Sequence, residues 1–242
     1  MATKAKLAHP GIREQVSAEE WRVRVDLAAA YRLVALNGWD DLIFTHLSAR
    51  VPGPDNHFLI NPFGLMFEEV TASNLVKVDM DGEIVLDSGY PVNPAGFTIH
   101  SAIHNARDDA HCVMHTHTVA GVAVSAQREG LLRSNQIALG IYNDVAYHDY
   151  EGLALVEEEK ARLLADMGTR GSLILRNHGL LTVGHDVAGA WLRLYFLERA
   201  CQVQIAAQAG GDLLLLDQSF ADRVAEQTMS AFATAAAMSW KP

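Results

Sequence analysis

Cysteine is nearly absent from this chain. Its two cysteines, Cys112 and Cys201, are distant in sequence, and both lie in segments that look buried. Their separation rules out a CxxC zinc or redox motif, and so low a count fits a reduced compartment. We expect both to be small core residues of a cytoplasmic protein.

Basic residues are also few. There are 19 Lys and Arg residues against 29 Asp and Glu residues, a net charge of −10, and the basic residues form no run. Nucleic acids and anionic membranes bind clustered Lys and Arg, so we expect neither as a partner. No apolar stretch approaches the ~20 residues of a membrane-spanning helix, and residues 1–15 show no apolar signal-peptide core.

Several common catalytic signatures are missing as well. The chain contains no GxSxG nucleophile motif, no GxxxxGK[ST] phosphate loop and no GxGxxG dinucleotide motif. The composition is that of an ordinary globular protein, 50% hydrophobic and 20% charged, but it includes 11 histidines. The histidines are therefore the main chemical signal.

Interleaved helix and strand patterns predict an α/β fold. Tight turns such as Asp81-Gly82 predict hairpins, so the sheet should be mixed and largely antiparallel. We expect one domain over 1–242, with 1–16 flexible and 212–242 forming a C-terminal helical segment. The first helix should follow a capping box at 17–20 and bury the apolar positions Trp21, Val25, Ala28, Leu33 and Leu36. Later helices are predicted at 96–106, 118–127, 157–167, 186–209 and 219–237, and strands at 44–51, 57–60, 76–80, 83–86, 110–115, 172–176 and 180–183.

Three histidines have the spacing of a metal site. His115 and His117 end a buried strand, where residues i and i+2 point to the same side. His178 lies in a turn between two later strands, and Gly179 would let the backbone bend there. Three imidazoles with one open position are typical of catalytic zinc. The alternative is that the HxH pair consists of two polar residues capping a strand. His104, four residues after His100, is expected on a helix surface.

Several sequence blocks follow one another along the chain: Thr45-His46-Leu47-Ser48, the residues at 59–64, 75–79 and 81–82, His100, the residues at 113–117, and Asn177-His178-Gly179-Leu180. Through these blocks the chain resembles the class II aldolase/adducin family over nearly its whole length. This resemblance implies a three-layer α/β/α domain around a mixed sheet, and a homotetramer with active sites near the subunit interfaces. It also implies that one divalent ion per subunit is held by His115, His117 and His178, with zinc favoured over manganese, cobalt or iron.

Departures from the family pattern change the expected substrate. The sugar-phosphate aldolases of the family carry Pro-Ser-Ser-Glu where this chain has Asn93-Pro94-Ala95-Gly96, so the catalytic glutamate position is Gly96. Their glycine-asparagine pair is Thr45-His46, and their phosphate loop is Asn61-Pro62-Phe63-Gly64. These losses place the chain in the adducin-like, bacterial-type branch and predict an unphosphorylated substrate. The expected substrate-binding residues are His46, Asn61, Gly64, Asn93 and Gly96.

The resulting expectation is a metal-dependent lyase that performs aldol cleavage or decarboxylation on a small carbonyl or carboxylate compound. Because Gly96 cannot transfer a proton, we expect another residue to do so. The candidates are His100, Tyr147 and His148, with His46 and Tyr150 as further possibilities. His100 is the first choice, although it could instead orient the turn at 93–96. Two alternatives stay open: a non-haem iron oxygenase, and a non-catalytic adducin-like interaction module.

Overall fold

A computed structural model describes residues 11–53, 55–152 and 157–240. Its helices are α1 (Ile12–Gln15), α2 (Ala18–Leu36), α3 (Pro94–Ala106), α4 (Val119–Ser125), α5 (Gln136–Ile141), α6 (Glu157–Met167), α7 (Val187–Gln208) and α8 (Gln218–Ser239). Its strands are β1 (His46–Arg50), β2 (Phe58–Ile60), β3 (Val76–Val78), β4 (Ile84–Leu86), β5 (Cys112–Thr116), β6 (Val145–His148), β7 (Ser172–Leu175) and β8 (Gly179–Gly184). Short 3-10 turns occur at Phe67–Glu69 and Tyr142–Asp144.

The strands of the described ranges form one sheet in the order β4-β3-β2-β1-β5-β8-β7-β6. Every neighbouring pair is antiparallel except β6 and β7, which run parallel. The sheet is therefore mixed and largely antiparallel, as its hairpin turns predicted.

Helices cover both faces of the sheet. On the face that we call the α7 face, Leu47 and Met114 share a buried apolar cluster with residues of α2, α4, α5 and α7. On the opposite face, which we call the α3 face, Val113 and Leu181 pack with residues of α3 and α6. Because a strand alternates its side chains, β1 and β5 each supply residues to both layers. The three-layer α/β/α arrangement is confirmed.

Helix α2 buries a different stripe from the one expected. Val25 and Leu36 are exposed by 43% and 82%, whereas Glu20 and Arg24 are buried. Arg24 Nε donates to Glu20 Oε1 at 2.9 Å, and Lys77 Nζ donates to Glu20 Oε2 at 2.8 Å. The expected apolar face was wrong because these ion pairs allow charged side chains to occupy the buried side, which hydrophobic periodicity cannot detect.

Beyond residue 16, two helices or strands were not predicted, α5 and β6. Both are short, and α5 depends on the Asn135 side chain, which accepts a hydrogen bond from Ala138 N at 3.0 Å. Residues 12–15, which we expected within a flexible segment, form α1 with Ile12 buried, while residues 1–10 lie outside the described residues. Helix α8 accounts for most of the expected C-terminal helical segment. Within the described ranges, the structure has no helix of the length and apolarity needed to cross a membrane.

Candidate metal centre

The register of β1 and β5 places two histidines side by side. His46 pairs with His115 across these antiparallel strands, and both side chains lie on the α3 face. Their ring centroids are 5.2 Å apart. His117 follows β5 and continues its alternation toward the same side. The centre is therefore built where two central strands meet the layer formed by α3.

The imidazoles of His115, His117 and His178 converge on one point. His117 Nε2 lies 2.9 Å from His115 Nε2 and 2.9 Å from His178 Nε2. One donor atom from each residue can be chosen so that all three lie within 4.8 Å of one another. His115 is buried, while the other two are partly exposed. The strand geometry and the distant turn thus bring together the three residues that the sequence indicated.

Hydrogen bonds on the outer side of two rings fix which nitrogen faces the centre. His115 Nδ1 lies 2.9 Å from Leu180 O, which can only accept, so Nδ1 carries the proton. His117 Nδ1 lies 3.1 Å from Asp41 Oδ2, a carboxylate that also accepts. Burial, reinforced by the neighbouring histidines, lowers the pKa of His115 well below its usual value. A neutral His115 ring then directs its Nε2 lone pair toward His117 Nε2.

This donor set fits a divalent ion. Two lone pairs 2.9 Å apart repel each other unless a proton or a cation lies between them, and the outer partners already hold the Nδ1 protons. Burial also lowers the pKa of His178 to about 4, so this ring is neutral at pH 7. Outer hydrogen bonds of the kind made by Leu180 and Asp41 are typical of metal-binding histidines.

The turn before β8 positions His178, but the expected role of its glycine was wrong. The left-handed residue is Asn177, with φ of 55°, and Gly179 is not in that region. A Cβ at position 179 would instead meet the Thr116 carbonyl oxygen and approach His117 Cδ2 at 3.2 Å. Gly179 is therefore required because β8 runs close against β5 at this point, not because the chain bends there.

His46 occupies the space beside Gly96. A Cβ at position 96 would lie 2.5 Å from His46 Cδ2, 2.8 Å from Cγ and 3.0 Å from Nε2. The imidazole therefore packs directly on the backbone of the first turn of α3, and a larger residue at 96 would collide with it. The position where the resemblance places a glutamate in related aldolases is thus filled by a ring from β1.

His100 and His104 lie in the interior rather than on a helix surface. Both are 0% exposed, so the surface position expected for His104 was wrong. His100 Nε2 lies 2.8 Å from His46 Nδ1, and His104 Nε2 lies 2.7 Å from Ser48 Oγ. The i, i+4 spacing puts both imidazoles on the side of α3 that faces β1, where polar partners offset the cost of their burial.

The remaining predicted catalytic residues lie away from the three histidines. Tyr147 packs on the α7 face, the opposite side of the sheet from His115, and its hydroxyl accepts a hydrogen bond from Leu131 N at 3.0 Å. His148 is on the α3 face, but β8 and β7 separate its strand from β5, and its Nδ1 pairs with Asp166 at 2.7 Å. Tyr150 is closer, with its ring centroid 6.4 Å from that of His178.

Three predicted substrate-binding residues lie in the loops after β2 and before α3. The Oδ1 atom of Asn61 accepts a hydrogen bond from Tyr31 on α2 at 3.0 Å, which directs it to the α7 face. Gly64 is in an exposed turn with φ of 98°. The Asn93 carbonyl accepts from Phe97 N at 3.0 Å in the first turn of α3. The substrate-binding role of all three stays a prediction.

Two residues of the centre were missed from the sequence. Asp41 supports His117, and Ser48 lies between His100 and His104. Ser48 follows His46 by two positions in a strand, so it shares the same face, and this spacing was the available signal. Asp41 lies in an irregular loop with no periodicity from which its direction could be inferred.

Backbone strain is concentrated beside these residues. Among the described residues, three that are not glycine have a left-handed φ: Leu42, Thr45 and Asn177. They adjoin Asp41, His46 and His178 respectively. Thr45, at φ of 66°, is the least favourable because it is β-branched. Its buried hydroxyl has no hydrogen-bond partner. Strain of this kind persists where the surrounding structure fixes a functional geometry.

Replacing Thr45 with glycine should therefore stabilise the metal-free protein. Relief of a left-handed conformation, worth about 1–2 kcal/mol, exceeds the entropic cost of a glycine, about 0.5–1 kcal/mol. We expect urea denaturation to show a gain of about 0.5–1 kcal/mol. Thr116→Gly is the matched control, because Thr116 is also buried with an unpartnered hydroxyl but has no left-handed φ. The control should lose stability; equal losses in both variants would refute the strain argument.

Comparison with known proteins places the fold and the centre in one family. Residues 25–205 match the family model described as the class II aldolase and adducin N-terminal domain. The chain belongs to this family. The resemblance noted in the sequence is therefore confirmed, and the three converging histidines lie within the matched residues.

Relatives of this class II aldolase/adducin domain include both aldolases and adducins. A Pseudomonas aeruginosa protein named as a proposed class 2 aldolase is 60% identical over 204 residues, which cover 84% of this chain and 78% of that protein. Mouse alpha-adducin is 50% identical over 203 residues, 81% of this chain but 27% of the adducin.

Solved structures give the same result. An aldolase II superfamily protein from Pseudomonas syringae has a TM-score of 0.92 and 54% identity, covering 95% of this chain and 93% of that one. An L-fuculose 1-phosphate aldolase from Glaciozyma antarctica has a TM-score of 0.79 and 34% identity, covering 87% and 82%. Membership of the family thus supports an aldolase-type lyase.

Proposed function

We propose that this chain is a metal-dependent aldolase that binds one divalent ion, zinc, through His115, His117 and His178. Its substrate would be a small unphosphorylated β-hydroxy carbonyl compound. The bond cleaved would be the one between the α carbon and the β carbon, which carries the hydroxyl group. The observation that supports this is the convergence of three Nε2 atoms, with the outer nitrogens of His115 and His117 held by Leu180 and Asp41. An ion held by these three residues would supply Lewis acidity for polarising the substrate carbonyl and stabilising the negative charge that develops on it.

The residues around the three histidines favour aldol cleavage over decarboxylation. Aldol cleavage requires a group that interacts with the substrate hydroxyl, whereas loss of a carboxylate is helped by apolar surroundings. The space at Gly96 is filled by the His46 imidazole, which is a hydrogen-bonding group and not an apolar one. His46 is therefore the residue that we assign to the hydroxyl of the substrate.

The start of α3 and the loop after β2 support an unphosphorylated substrate. Pro94 and Ala95 offer no hydroxyl, and the Asn61 side chain is directed to the other face of the sheet, where its Oδ1 accepts from Tyr31. A phosphate group requires several convergent donors. We expect a hydroxyl or carboxylate group in its place.

Exposed apolar residues next to the centre support a homo-oligomer with sites near its interfaces. Val119, two residues after His117, is 90% exposed, and Leu42, next to Asp41, is 60% exposed. Phe44 is 47% exposed on the same loop as Leu42. Apolar side chains so exposed beside a site are typical of a surface covered by another subunit. We propose the homotetramer that the family resemblance implies.

Metal analysis combined with an activity screen tests the proposal. Protein purified without chelators should contain about one zinc ion per chain, and a panel of unphosphorylated aldols should include a compound cleaved at a rate that falls on chelation and returns with zinc. The control variant His185→Ala removes an exposed histidine on the loop after β8 and should retain both properties. Stoichiometric zinc without cleavage of any aldol would contradict the enzymatic assignment.

A non-catalytic interaction module is the second candidate, and the 50% identity to mouse alpha-adducin favours it. This role predicts that the protein binds no metal and that His115→Ala leaves assembly unchanged. Size-exclusion chromatography with light scattering on the wild type and this variant, with and without zinc, separates the two functions. Assembly that is indifferent to both zinc and His115, with no zinc bound, would favour the module.

A further inference from the structure

A continuous set of buried polar side chains runs between β1 and α3. His46, Ser48, His100 and His104 are each at most 5% exposed, and we call them the histidine file. Phe58, which stacks near His104, and Ile103 lie on either side, so the file passes through an apolar layer. Buried polar groups are retained at a cost in stability unless each is hydrogen-bonded.

Each neighbouring pair in the histidine file is within hydrogen-bond distance. His104 Nδ1 lies 2.9 Å from Ala110 O, and His104 Nε2 lies 2.7 Å from Ser48 Oγ. Ser48 Oγ also contacts His100 Nδ1, and His100 Nε2 lies 2.8 Å from His46 Nδ1. One nitrogen atom, His46 Nε2, is left at the end of the file.

The carbonyl of Ala110 sets the direction of every bond in the file. A carbonyl oxygen only accepts, so His104 Nδ1 is the donor. Burial lowers the pKa of His104 to about 3, so the ring is neutral and its Nε2 accepts the single hydroxyl proton of Ser48.

The remaining bonds follow from the direction of the Ser48 hydroxyl. Having donated its proton to His104, Ser48 Oγ must accept from His100 Nδ1. Burial lowers the pKa of His100 well below its usual value, so its Nε2 accepts in turn from His46 Nδ1. The proton of His46 is thereby held on Nδ1, and its Nε2 retains a lone pair.

The free nitrogen borders the metal centre. His46 Nε2 is on the edge of the ring that packs on Gly96, away from His100. The His46 ring lies beside that of His115 but does not belong to the group of three converging donor atoms. It is therefore placed to contact a molecule bound at the three histidines and not to complete their set.

We propose that the histidine file is a one-way hydrogen-bond chain that presents the lone pair of His46 Nε2 to a hydroxyl group of the substrate. His104, Ser48 and His100 are positioning residues, and His46 is the residue that contacts the substrate. The first half of the proposal, the direction of the file, stands on the hydrogen-bond distances and on the neutral state that burial imposes on His100 and His104, and it needs no bound ligand. The second half rests on the proposed function, since it requires a ligand at the metal centre.

Nitrogen-15 NMR of the histidine rings tests the direction of the file. Long-range proton–nitrogen spectra distinguish a ring protonated on Nδ1 from one protonated on Nε2, and single His→Gln variants assign the signals. We expect His46, His100 and His104 all to carry the proton on Nδ1, which is the minor form of histidine in water. Observation of His46 with its proton on Nε2 in the wild type would overturn the proposal.

A matched pair of serine variants shows whether Ser48 transmits the direction. Ser48→Ala removes the hydroxyl between His104 and His100, so His46 should change to a mixture of the two tautomers. Ser101→Ala is the control, because Ser101 is equally buried and adjoins His100 in sequence, but its hydroxyl bonds to Thr98 O. An unchanged His46 signal in Ser48→Ala, or equal changes in both variants, would show that Ser48 does not fix the direction of the histidine file.

Two small acids that differ by one hydroxyl test the contact with substrate. In the cobalt-loaded protein, glycolate should bind about five- to tenfold more tightly than acetate, as judged by the visible absorption of the metal, because one hydrogen bond is worth about 1 kcal/mol. His46→Ala should remove this preference while cobalt still binds. An equal preference in wild type and variant would refute the contact between His46 and the substrate hydroxyl.

Failure of the wild type to bind zinc or cobalt would instead refute the proposed function, and with it the contact between His46 and the substrate. The NMR result tests the direction of the histidine file independently of metal binding.

Discussion

Replacement of His115 with alanine should lower zinc affinity by more than about 100-fold and abolish lyase activity. Structural zinc sites with four ligands bind with about 10–16 kcal/mol, so one ligand contributes about 3 kcal/mol or more. A loss of about 1.4 kcal/mol in binding free energy corresponds to a tenfold loss of affinity. His115 is the most buried of the three, so no water molecule can easily take its place.

Competition with a chromogenic chelator measures this loss directly. His111→Ala is the matched control, because His111 immediately precedes β5 but is exposed and stacks edge-on against His185 at the opposite end of the strand. Asp41→Asn should have an intermediate effect of about 10–100-fold, since Asp41 acts on the metal through His117. Equal zinc affinity in wild type and His115→Ala, with both folded by circular dichroism, would refute the assignment of the centre.

Local patterns were sufficient to predict the fold and the three histidines. Strand alternation placed His115 and His117 together, and the turn between two later strands indicated His178, which the family resemblance also implied. His178 is 61 positions beyond His117, and its Nε2 lies 2.9 Å from that of His117. Hairpin turns predicted the antiparallel sheet. These features depend on residues close in sequence or on the order of blocks that carries the family resemblance, which is why they could be found without coordinates.

The histidine file could not be predicted, because it depends on long-range register. Nothing in the sequence shows that His46 lies opposite His115, or that α3 docks with His100 and His104 facing β1. His104 was expected on a helix surface, since buried polar residues are normally avoided. Ser48 and the Ala110 carbonyl satisfy these histidines, and neither has a sequence pattern that indicates this role.

The pairing of His46 with Gly96 also changes how the departure from the family pattern is understood. In the sequence, Gly96 stands where the sugar-phosphate aldolases of the family carry a glutamate, so it looks like the loss of a catalytic residue. In the structure the small residue is a requirement, because a Cβ at 96 would lie 2.5 Å from His46 Cδ2. A side chain at position 96 and the imidazole at position 46 cannot be present together. The departures from the family pattern at 45–46 and at 93–96 are therefore linked, because His46 requires a glycine at 96. This mutual exclusion predicts that the effect of a substitution at 96 depends on the residue at 46.

Gly96→Ala should therefore have opposite effects in two backgrounds. In the wild type the new Cβ displaces the His46 ring and disturbs the histidine file, with an expected loss of about 2 kcal/mol in the free energy of unfolding. In the His46→Ala background the obstacle is gone, and alanine within a helix is more stable than glycine by about 1 kcal/mol. The same substitution should then stabilise the protein. Urea denaturation of the four proteins gives the coupling energy between positions 46 and 96.

A reversal of sign is difficult to produce by any means other than direct contact, since distant substitutions usually add within ~0.5 kcal/mol. Similar losses from Gly96→Ala in both backgrounds would show that the glycine is needed for another reason. Gly121→Ala serves as the control, because its Cβ would meet Leu180 and Thr118 and not His46, so its cost should be the same with or without the imidazole. If the reversal is found, Gly96→Glu combined with His46→Asn becomes the change that would return the family's carboxylate to the centre, because only removal of the ring leaves room for it.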